Sequence, residues 1–397
     1  MGYSVTPLAQ PRNRHLPQSI GCPVVNLAFD LIVGLHEHAI FAWVSVVHIE
    51  SFLMHFLVVK KGALGDVVRT SYFAEALKRK FGSELRLSWI TAPASADLLR
   101  LNPYIDDLWF DFEQAKPFRL DRIFSLDDEL DTLAGAAELT VSSVTGAFLQ
   151  DKRPAYTQDA AEWFDMGVIS RLGKQRADEL KKLNQRSHAE IFSAIFGVEQ
   201  VRPEFYLEEP HRRWARDKLP VAARRVGINP YSGGRWPSKE LRPTELQQLI
   251  ARVLDGSSPF GAGSAVVLLG AGEDFAKNQA LVARQGSANL AAICTDESVL
   301  HLAAAVRGLD YLISSDSLAL HLAIAQGIPF TAFFSPTSAA EIDDWGIGTK
   351  VASTAPDYCS YRKDADSSTI TADRLIEAVA RNPRMSNGSR NRSDGLR

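Results

Sequence analysis

The sequence predicts an α/β protein that runs through strand and helix twice. Three observations carry this. Short apolar runs at residues 55–59, 311–314 and 331–334 have the hydrophobicity of buried parallel strands, and 85–90, 224–230 and 265–269 read as further strands. Segments with helical spacing of apolar residues lie between most of them, as strand–helix–strand units require. The alternation lapses over residues 202–213, which carry Pro203, Pro210 and several charges, and then begins again.

Composition agrees with this class. A chain of 397 residues with 46% hydrophobic and 23% charged residues is ordinary globular protein, long enough for about two domains. A net charge of −3 supplies no global basic field, so nucleic acid is not an expected partner. Cys22, Cys294 and Cys359 lie far apart without metal-type spacing. That usage fits a reducing, cytoplasmic compartment and no structural zinc.

Residues 1–53 differ from the rest of the chain. Residues 1–20 are polar, with Pro7, Pro11 and Pro17, and the apolar run at 24–53 is interrupted by Asp30, His36, Glu37, His38, His48 and Glu50. Neither a spanning helix nor a signal peptide fits that pattern. Met54 stands directly before the first well-formed strand, so 1–53 is expected to be an upstream extension, not native or poorly ordered; the alternative is an amphipathic membrane-surface segment. From there a strand at 55–59, a glycine-bearing turn at 60–66 and a helix at 67–81 come in order. A strand at 85–90, a helix at 95–101, a turn at 102–106 and helices at 159–164 and 177–196 complete the first round. Residues 118–150 show no clear period.

The second round opens with the strand at 224–230, a polar glycine-rich loop at 231–239 and a helix at 244–254. Next come a strand at 265–269, the turn Gly270-Ala271-Gly272-Glu273-Asp274 and a helix through 284. A weak strand at 290–293 and a helix at 298–306 lead to YLISSDSLALHLAIAQGIPFTAFFSP, residues 311–336. That stretch reads as one βαβ unit, with Gly327 ending its helix and Pro329 opening the next strand. A last helix is expected at 371–380, and residues 384–397 read as a disordered tail.

Several residues sit where open α/β sheets bind ligands, at the carboxyl ends of strands. Gly62 and Gly65 permit close backbone approach in a turn that is neither a dinucleotide fingerprint nor a P-loop. Asp66 at the helix start suits either a cap or a general base. Ser232, Gly233 and Gly234 expose backbone N–H groups while Arg235 and Lys239 add charge, which makes a seat for a diphosphate or a solvated surface loop. Glu273 is placed to accept from ribose hydroxyls or to serve as a helix-start acid. Asp316 and Ser317 cap a helix or face a ligand, and His321, one turn on, is a packing residue or a ligand contact. No cluster with metal spacing accompanies them.

The segments KKGALGDVVRT, NPYIDDLWF, NPYSGGRWPSKELRP, LLGAGEDF and SSDSLALHLAIAQGIPFTAFFSPTS, in that order from Met54 to about Ala380, resemble glycosyltransferase family nine, the bacterial lipopolysaccharide heptosyltransferases and their relatives. The resemblance implies a GT-B fold: two Rossmann-like domains facing a central cleft. Residues 54–212 would form the acceptor-side domain and 213–383 the nucleotide-sugar domain, with a C-terminal helix returning to the first. It further implies an inverting, metal-independent transfer of a sugar, typically heptose from ADP-heptose, to a saccharide or lipid-linked glycan at the inner face of the membrane. No cofactor is implied; the partners are the donor and a glycan or glycolipid acceptor.

By the same resemblance Asp66 would deprotonate the acceptor hydroxyl and Lys239 would neutralise the leaving diphosphate. Ser232, Gly233, Gly234 and Arg235 would bind phosphate, Glu273 the ribose, and Asp316, Ser317 and His321 the donor sugar and phosphates. Two departures stand out. Leu318 occupies a position where the family has Gly, and Lys239-Glu240-Leu241-Arg242 lacks the tryptophan and proline of the family's K-x-W-P segment. The second functional reading is a non-catalytic nucleotide-sugar-binding protein on the same scaffold; a sugar-nucleotide epimerase fits the five segments less well.

Overall fold

The structure is a computed structural model that describes residues 54–386, apart from Gly233 and Arg235. The upstream extension at 1–53 and the tail beyond 386 lie outside the described residues. The first sheet comprises β1 (Met54–Val59), β2 (Leu85–Ile90), β3 (Asp107–Trp109), β4 (Leu120–Ser125), β5 (Val141–Gln150) and β6 (Arg153–Tyr156), in the order β3-β2-β1-β4-β5-β6. All pairings are parallel except β5 with β6. Its helices are α1 (Leu64–Ser71), α2 (Phe73–Phe81), α3 (Ala96–Leu99), α4 (Leu130–Ala137), α5 (Ala161–Phe164), α6 (Lys174–Leu183) and α7 (His188–Phe196).

The second sheet is parallel throughout. It contains β7 (Arg224–Asn229), β8 (Ser264–Gly270), β9 (Leu290–Cys294), β10 (Tyr311–Ser315), β11 (Phe330–Phe334) and β12 (Gly348–Ala352), in the order β12-β11-β10-β7-β8-β9. Its helices are α8 (Glu209–Lys218), α9 (Pro243–Leu254), α10 (Gly272–Gln285), α11 (Val299–Arg307), α12 (Leu318–Ala325) and α13 (Ala372–Ala380). Strand order reverses once in each sheet, between β1 and β4 in the first and between β7 and β10 in the second. A ligand crevice opens at the carboxyl end of such a reversal. The turn at 60–66, the loop at 231–239 and the 316–317 turn all begin there.

Burial explains why the strands were legible. β1 is buried from its second residue to its last and β10 and β11 along their whole length, so each reads as an apolar run without alternation. The helix expected at 67–81 instead begins at Leu64 and divides at Tyr72 into α1 and α2. The helix expected at 177–196 is also two. Ser187 starts α7 with a capping box: its Oγ accepts from the Glu190 N–H at 3.2 Å while its own N–H donates to Glu190 Oε2 at 2.7 Å.

Among the described residues the last full helix stays with the second sheet. α13 packs on α9, β11 and β12 of the second sheet. Its buried stripe Ala372, Leu375, Ala378 and Val379 shares a core with Ile250, Phe333 and Val351, which leaves it no apolar face for the first half. Pro383–Ser386 continue as a short helical turn where a disordered tail was expected to begin. The halves are instead joined by α12, which packs on α1 and contributes Leu320, Ala323 and Ile324 to the core containing Val67 and Val68. No described helix is long and apolar enough to cross a membrane.

Candidate active site

The contact of α1 with α12 brings the two crevices together. Gly65 faces His321 so closely that a Cβ there would lie 2.6 Å from His321 Cδ2, well inside van der Waals distance. Only a residue without a side chain lets the helices approach this far. Gly65→Ala is therefore expected to cost about 1–3 kcal/mol in urea unfolding through overpacking. Gly62→Ala, where a Cβ would meet no atom within 4 Å, is the matched control and should leave stability nearly unchanged.

Asp66 lies in the first turn of α1, with its side chain 35% accessible at the crevice. Arg69, one turn on, forms an ion pair with Asp66, its Nη2 2.8 Å from Oδ1. Burial pushes the carboxyl upward, but Arg69, then Lys60 and His321, outweigh it and hold the group below the usual carboxylate range. Lys60 is itself anchored, donating to Asp127 Oδ1 at 2.5 Å, while the Lys61 N–H donates to Asp127 Oδ2 at 2.5 Å. The turn after β1 is thereby tied to the end of β4.

On the facing side Lys239 Nζ donates to Asp316 Oδ2 at 2.9 Å and to the Asp316 carbonyl at 3.0 Å, with both side chains 16% accessible. Burial opposes ionisation of Asp316, but the Lys239 charge, His321 and the hydrogen bond from Lys239 hold it well below the usual range. His321 Nε2 stands 3.8 Å from Asp316 Oδ1. Burial and the Arg69 charge push His321 down to about 4, against the pull of Asp316 and Asp66, so the ring is neutral at working pH.

The unfolded chain takes up this proton near the ordinary value of 6.5, whereas the folded chain does so only near 4. Stability is therefore complete above the unfolded value and falls as pH drops through that window, by up to about 1.4 kcal/mol per unit. Denaturant unfolding at neutral pH and at about pH 5 should show a smaller loss in His321→Gln than in the wild type.

The remaining candidates divide by location. Ser232 lies in the loop after β7, where its Oγ donates to the Trp236 carbonyl at 2.9 Å and so closes the loop. Gly234 adopts a positive φ of 71° in the same loop, a conformation that favours glycine. Gly233 and Arg235 fall outside the described residues. Ser317 occupies the N-cap position of α12, yet its side chain makes no capping bond. It accepts instead from Asn229 Nδ2 at 2.9 Å, which fixes the 316–317 turn against the end of β7. Glu273 stands exposed in the first turn of α10, after β8, on the same carboxyl edge as Asp316.

Sequence reasoning missed Arg69, Asn229 and Glu341. Arg69 follows Asp66 at helical i,i+3 spacing, a legible signal. Asn229 ends a strand, and only its pairing with β10 makes it a neighbour of Ser317. Glu341 lies between β11 and β12 in a segment without regular structure, where no period points to it. Among the described residues no group of three His, Cys, Asp or Glu side chains is arranged to hold a metal ion.

Solved structures share this architecture. A glycosyl transferase of family 9 from Veillonella parvula superposes with a TM-score of 0.65 at 19% identity, covering 83% of this chain and 96% of that one. The E. coli ADP-heptose lps heptosyltransferase II gives 0.57 at 15% identity, over 82% and 98% of the two chains. The E. coli heptosyltransferase WaaC with ADP-2-deoxy-2-fluoro heptose gives 0.54 at 14%, over 83% and 100%. These likenesses establish the GT-B-like fold. Curated protein sequences give no match. The family model for glycosyltransferase family 9 (heptosyltransferase) matches residues 150–369, more than half of the sequence, and the chain therefore belongs to that family.

Proposed function

We propose that this glycosyltransferase transfers a heptose or related sugar, with inversion, from a nucleotide diphosphate donor of the ADP-heptose type. The acceptor is a saccharide or lipid-linked glycan of lipopolysaccharide or cell-surface polysaccharide, met at the inner face of the membrane. One chain of contacts supports the reading: Gly65, next to Asp66 in the first half, meets His321, whose Nε2 lies 3.8 Å from Asp316, the partner of Lys239 in the second half.

The acceptor O–H gives its proton to Asp66 as its oxygen bonds to the anomeric carbon. The bond from that carbon to the diphosphate oxygen breaks on the opposite face, and its electron pair leaves with the nucleotide diphosphate. Lys239 offsets that growing charge and needs no metal to do so. Ser232, Gly233, Gly234 and Arg235 hold phosphate, Glu273 the ribose, and Asp316, Ser317 and His321 the donor sugar. Structures of the E. coli heptosyltransferase WaaC, one with ADP-2-deoxy-2-fluoro heptose and one with ADP, support a nucleotide-sugar partner.

The test is calorimetry against a panel of nucleotide sugars, followed by NMR of the product formed with a glycan acceptor. ADP-heptose should bind saturably and yield product of inverted anomeric configuration at a rate unaffected by EDTA. Retained configuration would overturn the mechanism. Leu318 and the engagement of Lys239 by Asp316 favour the second reading, a binding protein that has lost transfer. Donor bound tightly but never consumed would establish it.

A further inference from the structure

Arg69 is the residue of the crevice that none of the proposed roles employs, although its guanidinium touches the carboxylate assigned as base. It is 17% accessible and makes two ionic contacts, to Asp66 at 2.8 Å and to Glu341 Oε2 at 3.9 Å. Its guanidinium carbon lies 5.5 Å from the centre of the Trp163 ring, over its face. Glu341 comes from the other half of the molecule, yet it is fastened to this one. Its carbonyl accepts from the His188 N–H of the first half at 2.8 Å, at the start of α7, while its carboxylate accepts from Tyr361 of its own half at 2.8 Å. Trp345, in the same segment, meets Tyr72 edge-on at 6.1 Å. The segment between β11 and β12 is thus a strap from the second half seated on the first.

Resting on the reading of Asp66 as base, we infer that Arg69 is its positioning residue, and that the strap's Glu341 shares this guanidinium and so sets how strongly Asp66 holds a proton. The geometry divides the work. Arg69 holds Nη2 2.8 Å from Asp66 Oδ1 and Nη1 3.9 Å from Glu341 Oε2, so one guanidinium serves both carboxylates. The titratable and charged groups facing Asp66 are Arg69 on its own helix, Lys60 after β1, and His321 and Asp316 on the facing side. Those facing Glu341 are Arg69, Tyr361, Lys181 and Asp316. Of these, only Arg69 and Asp316 face both carboxylates, and Arg69 is the one that contacts both. Glu341 is held above the usual carboxylate range by burial despite Arg69, in keeping with a guanidinium committed mainly to Asp66.

The test separates this inference from the reading beneath it. The Asp66 carboxyl is followed by carbon-13 NMR titration, identified by its disappearance in Asp66→Asn, while turnover against pH is measured in parallel. Arg69→Met should raise the Asp66 titration by about 1–3 units, the effect of removing one opposite charge at contact. The acid limb of the pH–rate profile should move by the same amount. Arg69→Lys, which keeps the charge if the neutral variant fails to fold, should restore most of the shift. Glu341→Gln, which leaves the guanidinium to Asp66 alone, should lower the titration. An unmoved titration in Arg69→Met, or a raised one in Glu341→Gln, overturns the inference whatever the activity. A titration that moves as expected while Asp66→Asn keeps full turnover leaves the inference standing and removes Asp66 as the base.

Discussion

Asp66→Asn is expected to lower turnover by about 10²–10⁴-fold, the share a positioned general base contributes. Donor affinity should stay nearly constant. The groups proposed to hold the donor, from Ser232 to His321, all belong to the second half, whereas Asp66 reaches the crevice from the first. Asn preserves the shape of the side chain and an oxygen for Arg69, so the helix contact with α12 should persist. Single-turnover rates with saturating donor, set beside calorimetric donor affinity, separate the two effects. A rate unchanged from wild type would remove the base. Loss of affinity and rate together would instead assign Asp66 to donor binding.

Lys239→Ala should produce two losses of different origin. Turnover should fall by about 10²–10³-fold, as when one preorganised donor to a developing oxyanion is removed. The fold should also weaken by about 3–5 kcal/mol, because Asp316 would remain mostly buried without its counter-ion. Adding Asp316→Asn removes the stranded charge, so the double variant should regain most of the stability while turnover stays low. If it regained turnover as well, Lys239 would be only the counter-ion of Asp316. Urea unfolding and steady-state rates on the same preparations decide between these outcomes.

Much of the architecture was legible because buried parallel strands leave an apolar run that survives without tertiary knowledge. The stretch at 311–336 shows this best, since β10, α12 and β11 fall where the run, the helical spacing and Gly327 put them. Interruptions were harder. The break at Tyr72 has no Gly or Pro to announce it, and the division of 177–196 rests on the Ser187–Glu190 capping box, a local signal hidden within a plausible helical period. β12 went unread because GTKVA is short and alternates only weakly.

The candidate site divides along similar lines. Asp66, Lys239 and Asp316 follow strand ends and could be singled out one by one, but the Lys239–Asp316 pair depends on β7 and β10 lying side by side. Glu341 depends on a tertiary docking that no sequence window contains. The bland reading of Ser317 as a side-chain cap does not hold, because Asn229 supplies a nearer partner.

The union of Gly65 with His321, and of Arg69 with Glu341, has a bearing on biogenesis. As the polypeptide leaves the ribosome, the earlier sheet can collapse on its own apolar surfaces long before residues 318–345 have been made. Until they emerge, Arg69 and Asp66 have no opposing wall, and so distant a closure is entropically slow. A prematurely terminated chain would consequently lack the wall that faces Asp66 and Arg69.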